Sequence, residues 1–453
     1  MPIDTASTAL MKPMLVLMGA ALLLLARASP AGAVPAFAVQ TGQPCQMCHV
    51  GGFGPQLTPY GRNFKLHGYT QRSTSFSVPF SAMAMASYMR TNKDQAAPPA
   101  PHFGTNDNSA LDQFSLFFAG GFGSHLGAFV QTTYDGIARA WTWDNLDLRA
   151  TADMQVKGAD VVLGASLNNN PSVQDAWSTL PAWGFPYTSS ALAPSPSASP
   201  LLGGALAQTS LGLTGYAWIN SQWFVEGGAY GSPGASTLTH LGADPTSPGS
   251  IAGLAPYGRI AWQTGLKGGT LEIGAVAMQA DIHPGLDRST GFTDRYTDLG
   301  VDASYVRPLR GGDTVTVNGR YLHEDQSLKA TCALAGVSAG CAGGELTNLQ
   351  ADVSYYWRGK VGASVQVFDI FGSANPTLYA ANRTFKPDSS GVTLQLDATP
   401  FGDRPQPARR VNVRVGVQYT LYTQFNGAGT NFDGAGGKAS DNNTLRVFTW
   451  FAF

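Results

Sequence analysis

The chain has 453 residues, 13% of them charged, and a formal net charge of -1. That balance leaves no basic footprint for nucleic acid. Fifty-four glycines beside 11% aromatics, without a triplet period, exclude collagen-like and disordered chains and point to a folded protein rich in strands and turns.

At the front, Met14 to Ala26 (MLVLMGAALLLLA) is an apolar run preceded by Lys12 and followed by the small residues Ala31-Gly32-Ala33. This is the layout of a cleaved export signal over residues 1–33. The run is shorter than the roughly 20 residues a membrane-crossing helix needs. Asp4 fits a signal's front poorly, so Met11 is an alternative start. No later stretch is long and apolar enough for a transmembrane helix, so a membrane location requires a barrel.

Cys45, Cys48 and His49 form C-x-x-C-H, in which both thiols add to the vinyl groups of a haem and the adjacent imidazole reaches the iron. One covalently bound haem c is expected there. A disulfide between the two thiols is the competing reading, against which export to the compartment of haem attachment weighs. Zinc would need a second pair of ligands nearby, and the sequence offers none. Thr58-Pro59 reads as an N-cap with proline at the first helical position, and Gly68 as the stop. The helix between them puts Tyr60, Phe64 and His67 on one stripe that would lie over the haem. His67 is thereby a candidate second axial ligand, beside the plainer reading of a helix-end histidine that packs or meets solvent. The segment over residues 34–74, about forty residues, is near the lower limit for independent folding, so the rest of the chain has to supply the haem's walls.

That remainder, residues 75–453, reads as strands. Phe76 to Arg90 alternates an apolar face (Phe76, Val78, Phe80, Ala82, Ala84, Ala86, Tyr88) with one carrying Ser77, Ser81, Met83, Met85, Ser87 and Met89. This is the lipid-side and lumen-side pattern of a transmembrane β-strand. Paired runs recur with tight turns at Gly120–Ser124, Asn220–Gln222, Lys267–Gly269, Arg310–Gly312 and Arg358–Lys360. Longer Gly, Pro, Ser and Asn stretches lie between pairs, such as Asn170–Gln208, Ser232–Gly253, Asp325–Gly344 and Phe425–Asn442. Tight periplasmic turns and long extracellular loops alternate in this way in outer-membrane barrels. The expected fold is all-β: a transmembrane antiparallel barrel of about sixteen strands, within two, with both termini periplasmic and the haem segment in the lumen. The closing TLRVFTWFAF, ending on Phe453, resembles an outer-membrane insertion signal.

With Met83, Met85 and Met89 facing inward, any of the three is a candidate sixth ligand, since methionine opposite histidine raises a haem's potential. His67, another group or no ligand at all are the alternatives. Methionine also simply fills gaps beside bulky groups. Cys332 and Cys341 lie in one loop and are expected to form a disulfide. His323-Glu324-Asp325 is a compact set of potential ligands at a strand end, where a solvated rim is the competing reading. No nucleophile elbow, phosphate loop or zinc-protease motif occurs, so no catalytic side chain is expected.

The stretch FAVQTGQPCQMCHVGGFGPQLTPYGRNFKLHGY, Phe37 to Tyr69, resembles the fused cytochrome-porin family of the bacterial outer membrane. The matching positions are Thr41-Gly42, Cys45, Cys48, His49, Pro55, Leu57, Gly61-Arg62, Phe64-Lys65 and Gly68-Tyr69. Over the remaining chain the similarity is one of size, strand rhythm and C-terminal phenylalanine. The resemblance implies that an extracellular reductant, Fe(II) in the best-known members, gives an electron to the haem, which passes it to a soluble periplasmic cytochrome or copper protein. The alternative of another class is a diffusion porin in which the haem segment is a structural plug or gate.

Overall fold

The computed structural model describes residues 35–73, 79–337, 341, 343–403 and 411–453. The export signal over residues 1–33 and the boundary at residues 74 and 75 lie outside the described residues.

The first strand, β1 (Phe80–Thr91), is followed by hairpins β2 (Asn108–Phe122) with β3 (Leu126–Asp135), and β4 (Ala140–Val156) with β5 (Ala159–Asn168). Next come β6 (Leu211–Ile219) with β7 (Trp223–Gly231), the short β8 (Gly249–Ile251), and β9 (Ala255–Leu266) with β10 (Gly269–Pro284). The series ends with β11 (Asp294–Pro308) and β12 (Thr314–Leu328), β13 (Gly344–Trp357) and β14 (Val361–Gly372), β15 (Ser389–Ala398) and β16 (Asn412–Gln424), and β17 (Thr444–Ala452). Every pairing is antiparallel, and successive wall strands pair in chain order, β7 with β9 past β8. β1 closes the ring on β17, from Met83 opposite Ala452 to Thr91 opposite Thr444. Sixteen strands therefore form the wall, and β8 is an extra rung on β10.

Closure leaves no open edge, so every wall strand has its backbone groups paired on both sides. The side chains sort by period 2. On β14, Val365 and Val367 are 47% and 50% exposed, while Ser364 and Gln366, which alternate with them, are 2% and 3% exposed. On β15 the same rule sets Leu394 and Leu396 outside and Gln395 and Asp397 inside. An apolar outer band over a polar interior is the reverse of a soluble core and suits lipid. Exposed Trp223, Tyr355 and Trp357 stand beside the tight turns, and Trp141 and Phe371 at the opposite ends of their strands, as aromatic girdles do. The short turns and both ends of the wall lie on one side, the periplasmic side of an outer-membrane barrel.

Two segments enter the ring. Residues 35–73 carry the helices α1 (Ala36–Thr41), α2 (Cys45–Cys48) and α3 (Pro59–Leu66), and belong to one compact unit with the wall. They touch inward faces around the circumference: Arg62 reaches Ser304 of β11 at 2.8 Å, Tyr69 reaches Asp147 of β4 at 2.6 Å, and Tyr216 of β6 donates to Leu66 O at 2.6 Å. The connection from β5 to β6, read in sequence as an outer loop, turns back into the barrel. Its Asp175 pairs with Arg259 at 3.1 Å, and Trp177 is 1% exposed. The two segments meet where Lys65 Nζ donates to Val173 O at 2.7 Å and Ser178 Oγ donates to Pro55 O at 3.1 Å.

Candidate cofactor site

The C-x-x-C-H run folds as one helical turn: α2 spans Cys45–Cys48, and His49 N donates back to Cys45 O at 2.9 Å. The chain then reverses, Val50 N donating to Gln56 O and Thr58 N to Cys48 O, both at 2.9 Å. Thr58 caps α3 by accepting from Gly61 N at 3.2 Å, with Pro59 at the first helical position, and Gly68 takes φ +62° just past the end. Gly61 has a packing reason as well, since a Cβ there would stand 2.3 Å from Cys48 O. The spacing of the motif is thus the spacing of a closed loop that holds both cysteines and the histidine.

The glycines after His49 answer to the wall. Gly51 and Gly52 have φ of +71° and +76°, and a Cβ on Gly51 would lie 2.4 Å from the ring of Tyr356. Arg414 Nη1 donates to Phe53 O at 2.7 Å, and Asn412 Nδ2 to Gly52 O at 3.2 Å.

Cys45, Cys48 and His49 all line one cavity of about 160 Å³. Phe37 and Phe53 of the segment, Phe117 and Phe129 of the wall, and Met83 complete its apolar sides. The thiols are free and half-buried. Burial, with Cys45 adjacent, pushes the Cys48 thiol up to about 12, and burial also raises Cys45. The His49 imidazole is pushed down to about 4, chiefly by burial, so it is the neutral ring that a metal takes. Its Nδ1 is buried without a hydrogen-bond partner, which costs about 1–3 kcal/mol unless something else satisfies the ring.

Of the candidate sixth ligands, Met83 alone shares this cavity. All three methionines do face inward, at 6%, 2% and 0% exposure for Met83, Met85 and Met89. Met85 is engaged elsewhere, its sulfur accepting from Arg446 at 3.3 Å and from Thr188. Met89 packs on Ile137 and Leu192, about 20 Å along the strand from Met83 at roughly 3.3 Å per residue. His67 sits in a different cleft, with Nδ1 2.8 Å from Asn63 O and Nε2 3.8 Å from Asp153. The stripe of Tyr60, Phe64 and His67 does not cover the cavity. Phe64 is taken by Phe37 and Tyr69, with ring centroids 5.0 and 5.8 Å away.

Cys332 and Cys341 are joined by a disulfide. The trio at the end of β12 divides between faces: His323 and Asp325 point outward, whereas Glu324 is 1% exposed inside and accepts from Leu201 N at 2.7 Å and Gln326 at 2.8 Å. It does not gather around a cation. Among the described residues no group of three or more His, Cys, Asp or Glu is placed to hold a metal. Sequence reasoning missed Arg414, Asn412 and Tyr356. The signal available was an arginine at a lumen position of β16, where a bare charge has to meet a partner.

No family model matches the chain, and no curated protein matches it. Solved structures similar to it include an anion-selective porin from Comamonas acidovorans, at 13% identity over 83% of this chain and 98% of that one, TM-score 0.42. Others are OprB of Pseudomonas putida, at 13% over 83% and 94%, TM-score 0.47, and the outer-membrane channel DcaP of Acinetobacter baumannii, at 10% over 85% and 99%, TM-score 0.44. By its closed ring of sixteen strands and its apolar outer band, the chain is an outer-membrane β-barrel.

Proposed function

We propose that this barrel carries one covalent haem c and moves electrons from an extracellular donor to a soluble periplasmic carrier. The observation that carries the reading is the convergence of Cys45, Cys48, His49 and Met83 on one apolar cavity. Cys45 and Cys48 would anchor the group through thioethers, His49 would bind its iron, and Met83 is the candidate for a second ligand. A bound haem supplies one reversible electron at its iron. The protein's own part is to exclude water with Phe37, Phe53, Phe117 and Phe129, to present a neutral imidazole, and to fill the lumen so that the donor and its product stay outside.

The cavity adjoins Ala82 and Ala452, at the turn end of β1 and β17. A periplasmic carrier would approach it directly. Ferrous iron is the donor the resemblance suggests. Visible spectra of the oxidised, detergent-solubilised protein before and after adding ferrous iron test this: reduced c-type bands are expected, and a haem that dithionite reduces but ferrous iron does not would remove that donor.

The second reading is a diffusion porin whose segment 35–73 acts as plug or gate. The barrel and its polar lumen favour it, and the porin-type fold supports it without any cofactor. Bilayer conductance separates the two: a steady open channel from protein lacking covalent haem supports the porin, and a closed lumen with a redox-active haem supports electron transfer.

A further inference from the structure

We propose that Arg414 is a positioning residue for this site, fixing the loop that follows His49 and standing a permanent positive charge behind it. The proposal rests on the haem reading above. Arg414 lies on the inward face of β16 and is 2% exposed. All three of its nitrogens are used: Nε and Nη2 on Asp397 at 3.1 and 2.9 Å, Nη2 also on Tyr356 OH at 2.8 Å, and Nη1 on Phe53 O at 2.7 Å. The last bond ties the wall to the residue whose ring lines the cavity beside His49. The approach is close, since a Cβ on Gly54 would stand 2.7 Å from Nη1. Asn412, two residues earlier on the same face, holds Gly52 O at 3.2 Å. The loop therefore takes its position from β16.

Charge follows from the same geometry. A guanidinium remains protonated at any working pH, and buried charges are screened far less than surface ones. A fixed cation beside the loop that follows His49 would favour the reduced form of a bound haem and raise its midpoint potential, while Asp397, its carboxylate partner, would work in the opposite direction. The pair is thus a setting device with two signs. Arg414→Gln removes the cation and leaves Asp397 uncompensated, so the potential falls. Asp397→Asn removes the anion and leaves Arg414 held by Tyr356 OH and Phe53 O, so the potential rises. Arg414→Lys keeps the charge and stays near the parent value.

The test is a redox titration of the full chain in detergent, with covalent haem content read separately from the absorbance of denatured protein. Opposite shifts for Arg414→Gln and Asp397→Asn, at equal haem content, are expected. Shifts in the same direction, or none in either variant, overturn the proposal, because a purely structural loss has no reason to change sign. Should Arg414→Gln fail to fold, a rise in Asp397→Asn together with the parent potential in Arg414→Lys supports it, and no rise overturns it. A parent protein without covalent haem overturns the haem reading itself, a result the haem assay reports before any potential is measured.

Discussion

Gly51→Ala is the most direct probe of how the loop after His49 is seated. The new methyl would have to occupy φ +71°, which costs a non-glycine residue about 1–3 kcal/mol. Its Cβ would also stand 2.4 Å from Cε1 of Tyr356, and such overpacking typically costs about 1–3 kcal/mol. Together about 2–6 kcal/mol should be withdrawn from docking of the segment, a shift of roughly twenty-five-fold or more at about 1.4 kcal/mol per factor of ten. Hydrogen exchange in detergent micelles reads this locally. Amides such as Val50 N and Thr58 N, which are bonded within the segment, should lose at least that much protection, while the β11–β12 ladder keeps its own. Tyr356→Ala removes the ring and supplies the second arm of a double-mutant cycle. In that background Gly51→Ala should cost only its backbone part, about 1–3 kcal/mol. Unchanged protection in Gly51→Ala, or the same cost in both backgrounds, would refute the claim that contact with the wall seats this loop.

Replacing Cys332 and Cys341 by serine opens a loop with a sequence separation of 9; chain entropy assigns such a closure about 2–3 kcal/mol, so faster proteolysis confined to residues 329–343 is expected, with the barrel's heat-modifiable migration unchanged. Burial pushes Lys65 down to about 7, below its ordinary value, so between that pH and about 10 the released segment binds more protons than the docked one. Docking should therefore strengthen as pH rises through that window, and Lys65→Met should flatten the trend; the denaturant midpoint followed by tryptophan fluorescence checks it, with Trp183 lying 4.9 Å from Nζ. In haem-loaded protein, Met83→Ala should alter the visible spectrum, whereas Met89→Ala and His67→Ala should leave it unchanged. A change confined to His67→Ala would mean that the segment rearranges around the haem.

The hairpins were legible because their turns depend on local backbone chemistry. Asn220-Ser221, Lys267-Gly268 and Arg358-Gly359 all have positive φ, as two-residue hairpin turns require. Period 2 likewise placed Met83, Met85 and Met89 on the lumen face. The β4–β5 hairpin follows the same rule, with Lys157-Gly158 as its turn and Asp147 and Arg149 on the inward face, but the pairing of those two at 2.9 Å appears only with the fold. Depth is the quantity sequence cannot supply. Which methionine meets the cavity depends on how far residues 35–73 enter the ring, and that is set by contacts with Tyr356, Arg414 and Ser304, distant in sequence. The same long-range packing turns His67 away, because Phe37 and Tyr69 claim Phe64 and so fix the rotation of α3.

The filled lumen bears on what can cross the membrane. Asn169–Ser210 and residues 35–73 bond both to the wall and to each other, and Asn169–Ser210 is held to the wall by the buried ion pair of Asp175 with Arg259 of β9 and by Thr188 accepting from Arg446 of β17 at 3.1 Å. Removing one partner of such a pair typically costs about 3–5 kcal/mol because the other charge stays buried. Opening a solute path would break several of these contacts at once and expose Trp177, Leu206 and Trp218, each no more than 3% exposed. A gate that must swing on every passage is poorly served by such a lumen. On the proposed electron-transfer reading no such opening is needed, and the candidate site lies at the periplasmic end of β1 and β17. Shortening Asn169–Ser210 is the counter-test. It should raise ion conductance sharply and leave covalent haem in place, and a parent protein that already conducts as well as the shortened one would reverse the argument.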